Sequence, residues 1–285
     1  MPISFEKRLT QAYCQTIAES HRTAAPNQKF NFKDYQLTSA DTTALAAMAP
    51  KDAAGLYYNA LVSFAQGCHS ILAGCTSWAC VELYYSLFYA LRAELYYNGY
   101  VLIRDRSLYL VKIAAGEHPM TKNSKDYNTD HGGSLRYFID IYGSSDFLCS
   151  NVVDGKNVYL WMMDIRETTN YRHKWFNEPG SFVELVPLLA QIKTDGVAGV
   201  LRMFKGDFNT YCFSDQHAWM CAPYYKLLEV AAIYKAGEEK LSAEQEGYAN
   251  TVLRGLGMSE DEVKELIGEE VEAEDGGDEG LEDME

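Results

Sequence analysis

The stretch Asp164-Ile165-Arg166-Glu167-Thr168-Thr169-Asn170-Tyr171-Arg172-His173 reads as helix and sets Arg166 seven positions before His173. Seven steps of about 100° return nearly to the starting face, roughly 10 Å further along the axis. On a regular helix both side chains point the same way, and the guanidinium reaches back toward the imidazole. An imidazole titrates near neutral pH, and a guanidinium beside it is a fixed cation. Such a pair can cut RNA without a metal. The histidine moves the proton of the 2′-hydroxyl or of the leaving oxygen, and the arginine holds the phosphorane charge. The plainer reading is that both are surface or interface residues, since this spacing often arises by chance.

The helix around this stretch is expected over 157–176, with Pro179-Gly180 breaking the chain after it. Before it, Thr76 or Ser77 caps a strong helix that runs to Tyr97 and stops at Asn98-Gly99. That helix is apolar nearly all round, which predicts a place at the centre of the fold or at an interface. Earlier, 5–20 is amphipathic, Ser39 caps a helix that ends before Pro50, and Asp52 caps another over 53–72 closed by Gly74. Two short strands are expected within 100–113, then a polar loop over 116–133 and a short helix over 134–142. Further helices are expected over 182–204, 216–235, 242–256 and 258–267, the last capped by Ser259. The fold class is all-α.

The chain has 285 residues and is 47% hydrophobic, enough for a sizeable core. No apolar run reaches about 18 residues, so no membrane span is expected. The opening Met1-Pro2-Ile3-Ser4-Phe5-Glu6-Lys7 lacks the pattern of a secretory signal. Seven cysteines, odd in number and scattered, predict reduced thiols and a cytoplasmic setting. The net charge of −15 is unevenly placed. Residues 260–285 hold fourteen acids and one base, Lys264, leaving 26 acids and 24 bases in a nearly neutral body. The segment 268–285 is expected to be disordered. Its acidity suits a solvating extension, a contact for a basic partner, or a cover over the protein's own RNA site.

Three segments, in order, resemble the HEPN domain (higher eukaryotes and prokaryotes nucleotide-binding). Tyr84-Tyr85-Ser86-Leu87-Phe88-Tyr89-Ala90-Leu91-Arg92-Ala93 resembles its aromatic second-helix signature. Asp130-His131-Gly132-Gly133-Ser134-Leu135-Arg136-Tyr137-Phe138 is similar to the His-led turn between its two long helices. Arg166 through His173 resembles its motif of Arg, four to six residues, and His. The likeness covers roughly 52–205 and implies a HEPN-like bundle of four or five helices that pairs through the motif helices. Around it stand an N-terminal helical extension (1–51), C-terminal helices packed on the bundle (206–257) and an acidic tail (258–285). Asn170-Tyr171 is also similar to the Arg-then-Asp-Tyr pattern of HEPN proteins without nuclease activity. Trp175 stands where one toxin branch carries a modified tyrosine, so that form of control is not implied.

Two functions follow from the resemblance. The first is a metal-independent endoribonuclease, a toxin or antiviral effector, that leaves a 2′,3′-cyclic phosphate. His173 would act as general acid or base, Arg166 would stabilise the transition state, and Asn170 would orient His173 or the phosphate. Arg172 and Lys174 would hold RNA backbone unless they only form a solvated helix face. His131 would contact a phosphate unless, as is commoner at a helix start, it caps or packs. The second function is a non-catalytic adaptor or regulatory subunit. Arg166 and His173 on an open basic cleft favour the first; burial in intrachain packing favours the second. Either way a homodimer or a HEPN-type heteromer through the 157–176 helix is implied, with no metal and no cofactor. Cys68-His69, Cys75 and Cys80 lack paired zinc-ligand spacing and are expected to be free thiols.

Overall fold

A capping box opens the longest helix. Thr38 Oγ1 accepts from the Asp41 amide at 3.1 Å, and Asp41 Oδ2 accepts from the Thr38 amide at 2.8 Å. From this start α2 runs over Ser39–Leu72, straight through Pro50. The computed structural model describes residues 7–24, 30–172 and 174–269. The break expected at Pro50 does not occur, and Asp52 starts no helix of its own. Its carboxylate caps a different one: Oδ1 and Oδ2 accept from the amides of Leu9 and Thr10, each at 2.9 Å, at the head of α1, Leu9–Ala24.

Helix α3 covers Thr76–Tyr97 and packs antiparallel along α2. The approach is close, because a Cβ on Gly67 would fall 2.8 Å from Leu83 Cγ. As its all-round apolar sequence predicts, α3 buries residues on every side, among them Leu83, Tyr84, Leu87, Leu91 and Leu95. Asn98-Gly99 ends it, with Gly99 at φ 77°. An antiparallel hairpin follows, β1 (Tyr100–Asp105) on β2 (Ser107–Lys112), in the register Val101 to Val111 and Ile103 to Tyr109. The polar stretch after it contains a one-turn helix, α4 (Lys125–Asn128), and leads into α5 (Asp130–Tyr142). The short pair β3 (Val152–Val153) and β4 (Lys156–Asn157) precedes α6, Val158–Glu167.

The chain then builds α7 (Val186–Gly206, kinked at Gly196), α8 (Phe208–Tyr211), α9 (Ala218–Ala236), α10 (Ala243–Arg254) and α11 (Glu260–Ile267). Of these, α9 lies against α3 and α2 and is part of the central packing, not a layer added outside it. One hydrophobic core reaches from Cys14 in α1 to Ile267 in α11, so α2 crosses the junction expected at residue 51 and α11 extends the body past residue 257. No helix among the described residues is long and apolar enough to cross a membrane.

At the meeting point of α3, α6 and α9 lies an ion cluster. Lys226 of α9, 1% exposed, touches Glu94 Oε2 at 2.6 Å, Asp146 Oδ2 at 2.7 Å and Glu229 Oε2 at 2.9 Å. Tyr159 of α6 donates to Asp146 Oδ2 at 3.0 Å. Burial alone would lower the Lys226 pKa; the three carboxylates override it and hold it above the ordinary lysine value. Burial raises Glu94 despite Lys226. Removing the ammonium strands three carboxylates together. Lys226→Met should cost about 3–5 kcal/mol at neutral pH. The loss should shrink as the pH falls toward the carboxylate range, because the folded variant then takes up protons. Urea titrations of both chains across pH check this, and a pH-independent difference would contradict it.

The first part of the acidic segment, α11, is docked on the body. Val263, Leu266 and Ile267 of α11 are buried, Arg202 and Lys205 of α7 pair with Glu262 and Glu265, and Tyr57 Oη donates to the Leu266 carbonyl. The disorder expected over 268–285 concerns residues that, from 270 onward, lie outside the described ones. A chain ended at Gly257 should lose on the order of 4 kcal/mol or more of stability. A chain ended at Glu269 should melt like the full one. Equal midpoints for the two truncations would show that α11 contributes nothing.

Candidate functional site

Asn157 starts α6 by accepting from the Tyr159 amide at 3.0 Å. The helix is regular only to Glu167; Thr168–Arg172 form a π-helical turn. The regular 157–176 helix expected from the sequence is therefore not built. A π turn widens the helix and shifts every later side chain round the axis, so the seven-residue alignment of Arg166 with position 173 no longer follows. His173 itself lies outside the described residues.

Arg166 is 8% exposed and turns inward to α3. Nη2 donates to Tyr85 Oη at 3.3 Å, and the guanidinium carbon stands 5.9, 5.8 and 5.4 Å from the rings of Tyr84, Tyr85 and Tyr171. Among the described residues its Nε has no hydrogen-bond partner, and neither has the buried Oγ1 of Thr169 in the π turn. Asn170 is half-buried one turn on. Arg172 is exposed and pairs with Glu167 at 3.6 Å, which offsets part of the charge expected to meet RNA. Lys174 is exposed, with its ammonium 4.8 Å from the Trp175 ring.

His131 joins Arg166 from the first turn of α5. Its Nδ1 is 3.0 Å from Tyr84 Oη, and its ring is tilted on Phe88 at 4.6 Å and edge-on to Tyr85 at 5.5 Å. The structure thus brings His131 and Arg166 together around Tyr84 and Tyr85, while Arg172 and Lys174 stand outside this cluster. His131 is packed among rings and not presented on an open helix end.

Two arginines belong to the same seam and were missed from the sequence. Arg92, 9% exposed, lies one helical turn beyond Phe88, with its guanidinium carbon 5.4 Å from that ring. Arg8 is half-buried at the head of α1, and burial, then the charge of Arg92, lowers its pKa. Neither Arg92 nor Arg166 has a carboxylate partner among the described residues. A signal for Arg92 existed: it is the one basic residue of α3, inside the segment that resembles the HEPN signature. Of the cysteines and histidine near residue 70, Cys68 and Cys80 are buried free thiols, Cys75 is an exposed one, and His69 Nε2 lies 3.0 Å from the Val252 carbonyl.

Comparison of the chain with protein-family models, curated proteins and solved structures finds no match among any of them.

The seam sets the charge state of His131. Burial first, then the positive charge of Arg166 with Arg92 adding to it, lowers its pKa to about 4 against the pull of Asp130. An unfolded histidine protonates near 6.5. Between these values the unfolded chain binds the proton and the folded chain does not, so this residue costs stability as the pH falls from about 6.5 toward 4. NMR titration should find the His131 ring neutral at about pH 5.5, with its midpoint raised in Arg166→Met. A midpoint near 6.5 in the wild type would mean that the ring is not enclosed.

Proposed function

We propose that this chain is a HEPN-like helical protein that serves as a non-catalytic adaptor or regulatory subunit. The observation that carries the reading is the burial of Arg166. A guanidinium that stabilises a phosphorane must be reached by the scissile phosphate. This one is enclosed by Tyr84, Tyr85 and Tyr171 on its own chain. The surface left free begins beyond it. Tyr171 and Trp175 are 73% and 70% exposed, and Phe176 and Trp78 stand beside each other with ring centroids 6.4 Å apart, both exposed. Large aromatics grouped at a surface mark an interaction site. The body of α6 is mostly covered by its own chain, so pairing with a second copy or another HEPN-like chain would use this aromatic edge instead.

The second reading is the metal-independent endoribonuclease. The guanidiniums of Arg92 and Arg166, which have no carboxylate partner among the described residues, favour it, because cations of that kind suit a phosphate backbone.

Incubation of purified chain with total RNA in EDTA separates the two. The adaptor reading expects no cleavage, and a lower melting temperature in Arg166→Ala from the loss of its packing. It also expects that Trp175→Asp leaves melting unchanged and abolishes self-association seen by light scattering at micromolar concentration. Cleavage by the wild type that falls by about 100-fold or more in both Arg166→Ala and His173→Ala would replace the adaptor with the nuclease.

A further inference from the structure

A cavity of about 320 Å³ opens on the face of α6 that carries Asp164 and Ile165, turned away from Arg166. Its walls are aromatic. Trp161 and Trp219 meet edge to face with centroids 5.4 Å apart, and Phe182 lies 5.6 Å from Trp219. Both indole N–H groups are already engaged: Trp161 Nε1 donates to Asp154 Oδ2 at 2.9 Å, and Trp219 Nε1 to the Asp215 carbonyl at 2.6 Å. What the indoles have left to offer a ligand is their rings, which are 5% and 3% exposed where they line the cavity; an aromatic face carries the negative part of the quadrupole.

The lining is acidic as well. Asp154, Asp164 and Glu184 line the cavity with a single base, Lys156. Lys156 pairs with Asp164, which leaves Asp154 and Glu184 without an ion pair among the described residues. Ring faces and uncompensated carboxylates attract the same thing. An anion would be repelled by the lining, and a neutral apolar group would leave its charge unanswered. A cation with an apolar periphery satisfies both features at once.

We infer that this cavity binds an organic cation, an alkylammonium or guanidinium head. The head sits against Trp161, Trp219 and Phe182 while Asp154 and Glu184 supply the opposite charge. The site shares no residue with the Arg166 seam and does not rest on the adaptor reading. The same chemistry is available from a free amine or from a lysine or arginine side chain of a partner.

Titration of the full chain, followed by tryptophan fluorescence and calorimetry, tests the assignment with three probes: choline, a capped Gly-Arg-Gly peptide, and dimethylbutanol as the uncharged isostere of choline. At least one cationic probe should saturate with a Kd on the order of 1 mM, and the isostere should not. A stronger choline signal assigns the site to a free amine; a stronger peptide signal assigns it to a partner's side chain. Glu184 and Lys156 are exposed, so their variants should fold normally. Glu184→Gln should weaken binding about threefold, and Lys156→Met should tighten it by a similar factor, since it removes the competing ammonium. Equal binding of the isostere, weaker binding in Lys156→Met, or failure of both cations to saturate would overturn the inference.

Discussion

One ammonium group, that of Lys226, holds the interior together where three carboxylates would otherwise repel one another. Glu94 comes from α3, Glu229 from α9 and Asp146 from the turn after α5, with Tyr159 of α6 bonded to Asp146. Buried ion clusters are rarely more stabilising than a well-packed apolar alternative, but they tolerate little misplacement, because an unpaired charge in the interior is costly. Here the cluster sets how α9 lies on α3 and where the chain turns into α6. The position of Arg166 follows from that, since α6 begins only a dozen residues after Asp146.

Given that frame, the character of the Arg166 region is decided by rings. Tyr84, Tyr85, Phe88 and Tyr171 provide rings to two guanidiniums that have no carboxylate partner among the described residues, and His131 packs on Phe88 beside them. Cation–aromatic contacts offset only part of the cost of burying a charge. Burial, with the positive charges of Arg166 and Arg92 adding to it, lowers the pKa of His131 in this seam. The π turn directly after Arg166 adds a second irregularity at the same place, and such turns are frequent at functional sites.

How much of this could be read from the sequence depended on the range of the interaction concerned. Helix α3 was readable because its signals are local: apolar residues on all faces and Asn98-Gly99 at its end. The same holds for α10 and α11, whose capping boxes join Ser242 to Gln245 and Ser259 to Glu262. Asp52 shows the limit. An aspartate at that position caps whichever helix start reaches it, and the neighbour that does so is α1, more than forty residues earlier in the chain. Pro50 misled for a similar reason, because the packing of the rest of α2 on α3 outweighs one lost backbone bond. For Arg166, the sequence placed it on a helix but aimed it at His173, and nothing local signalled the π turn or the inward swing of the guanidinium onto Tyr84 and Tyr85.

The loop beyond the aromatic edge is clasped to the start of α3. Glu178 accepts from the Ser77 amide at 2.6 Å and from its hydroxyl at 2.8 Å, and Ser77 Oγ in turn accepts from the Asn177 amide at 3.0 Å. No side chain of its own first turn caps α3 in its place. Trp175 and Phe176 immediately precede this clasp, so the surface offered to a partner and the start of the central helix are joined by two peptide units. A load on the rings is transmitted directly to the first free amides of α3, and fraying of those amides loosens the rings. The edge thus behaves as a handle fixed to the central beam of the molecule, and its occupancy is registered in the protection of backbone amides deep in the sequence of α3's first turn.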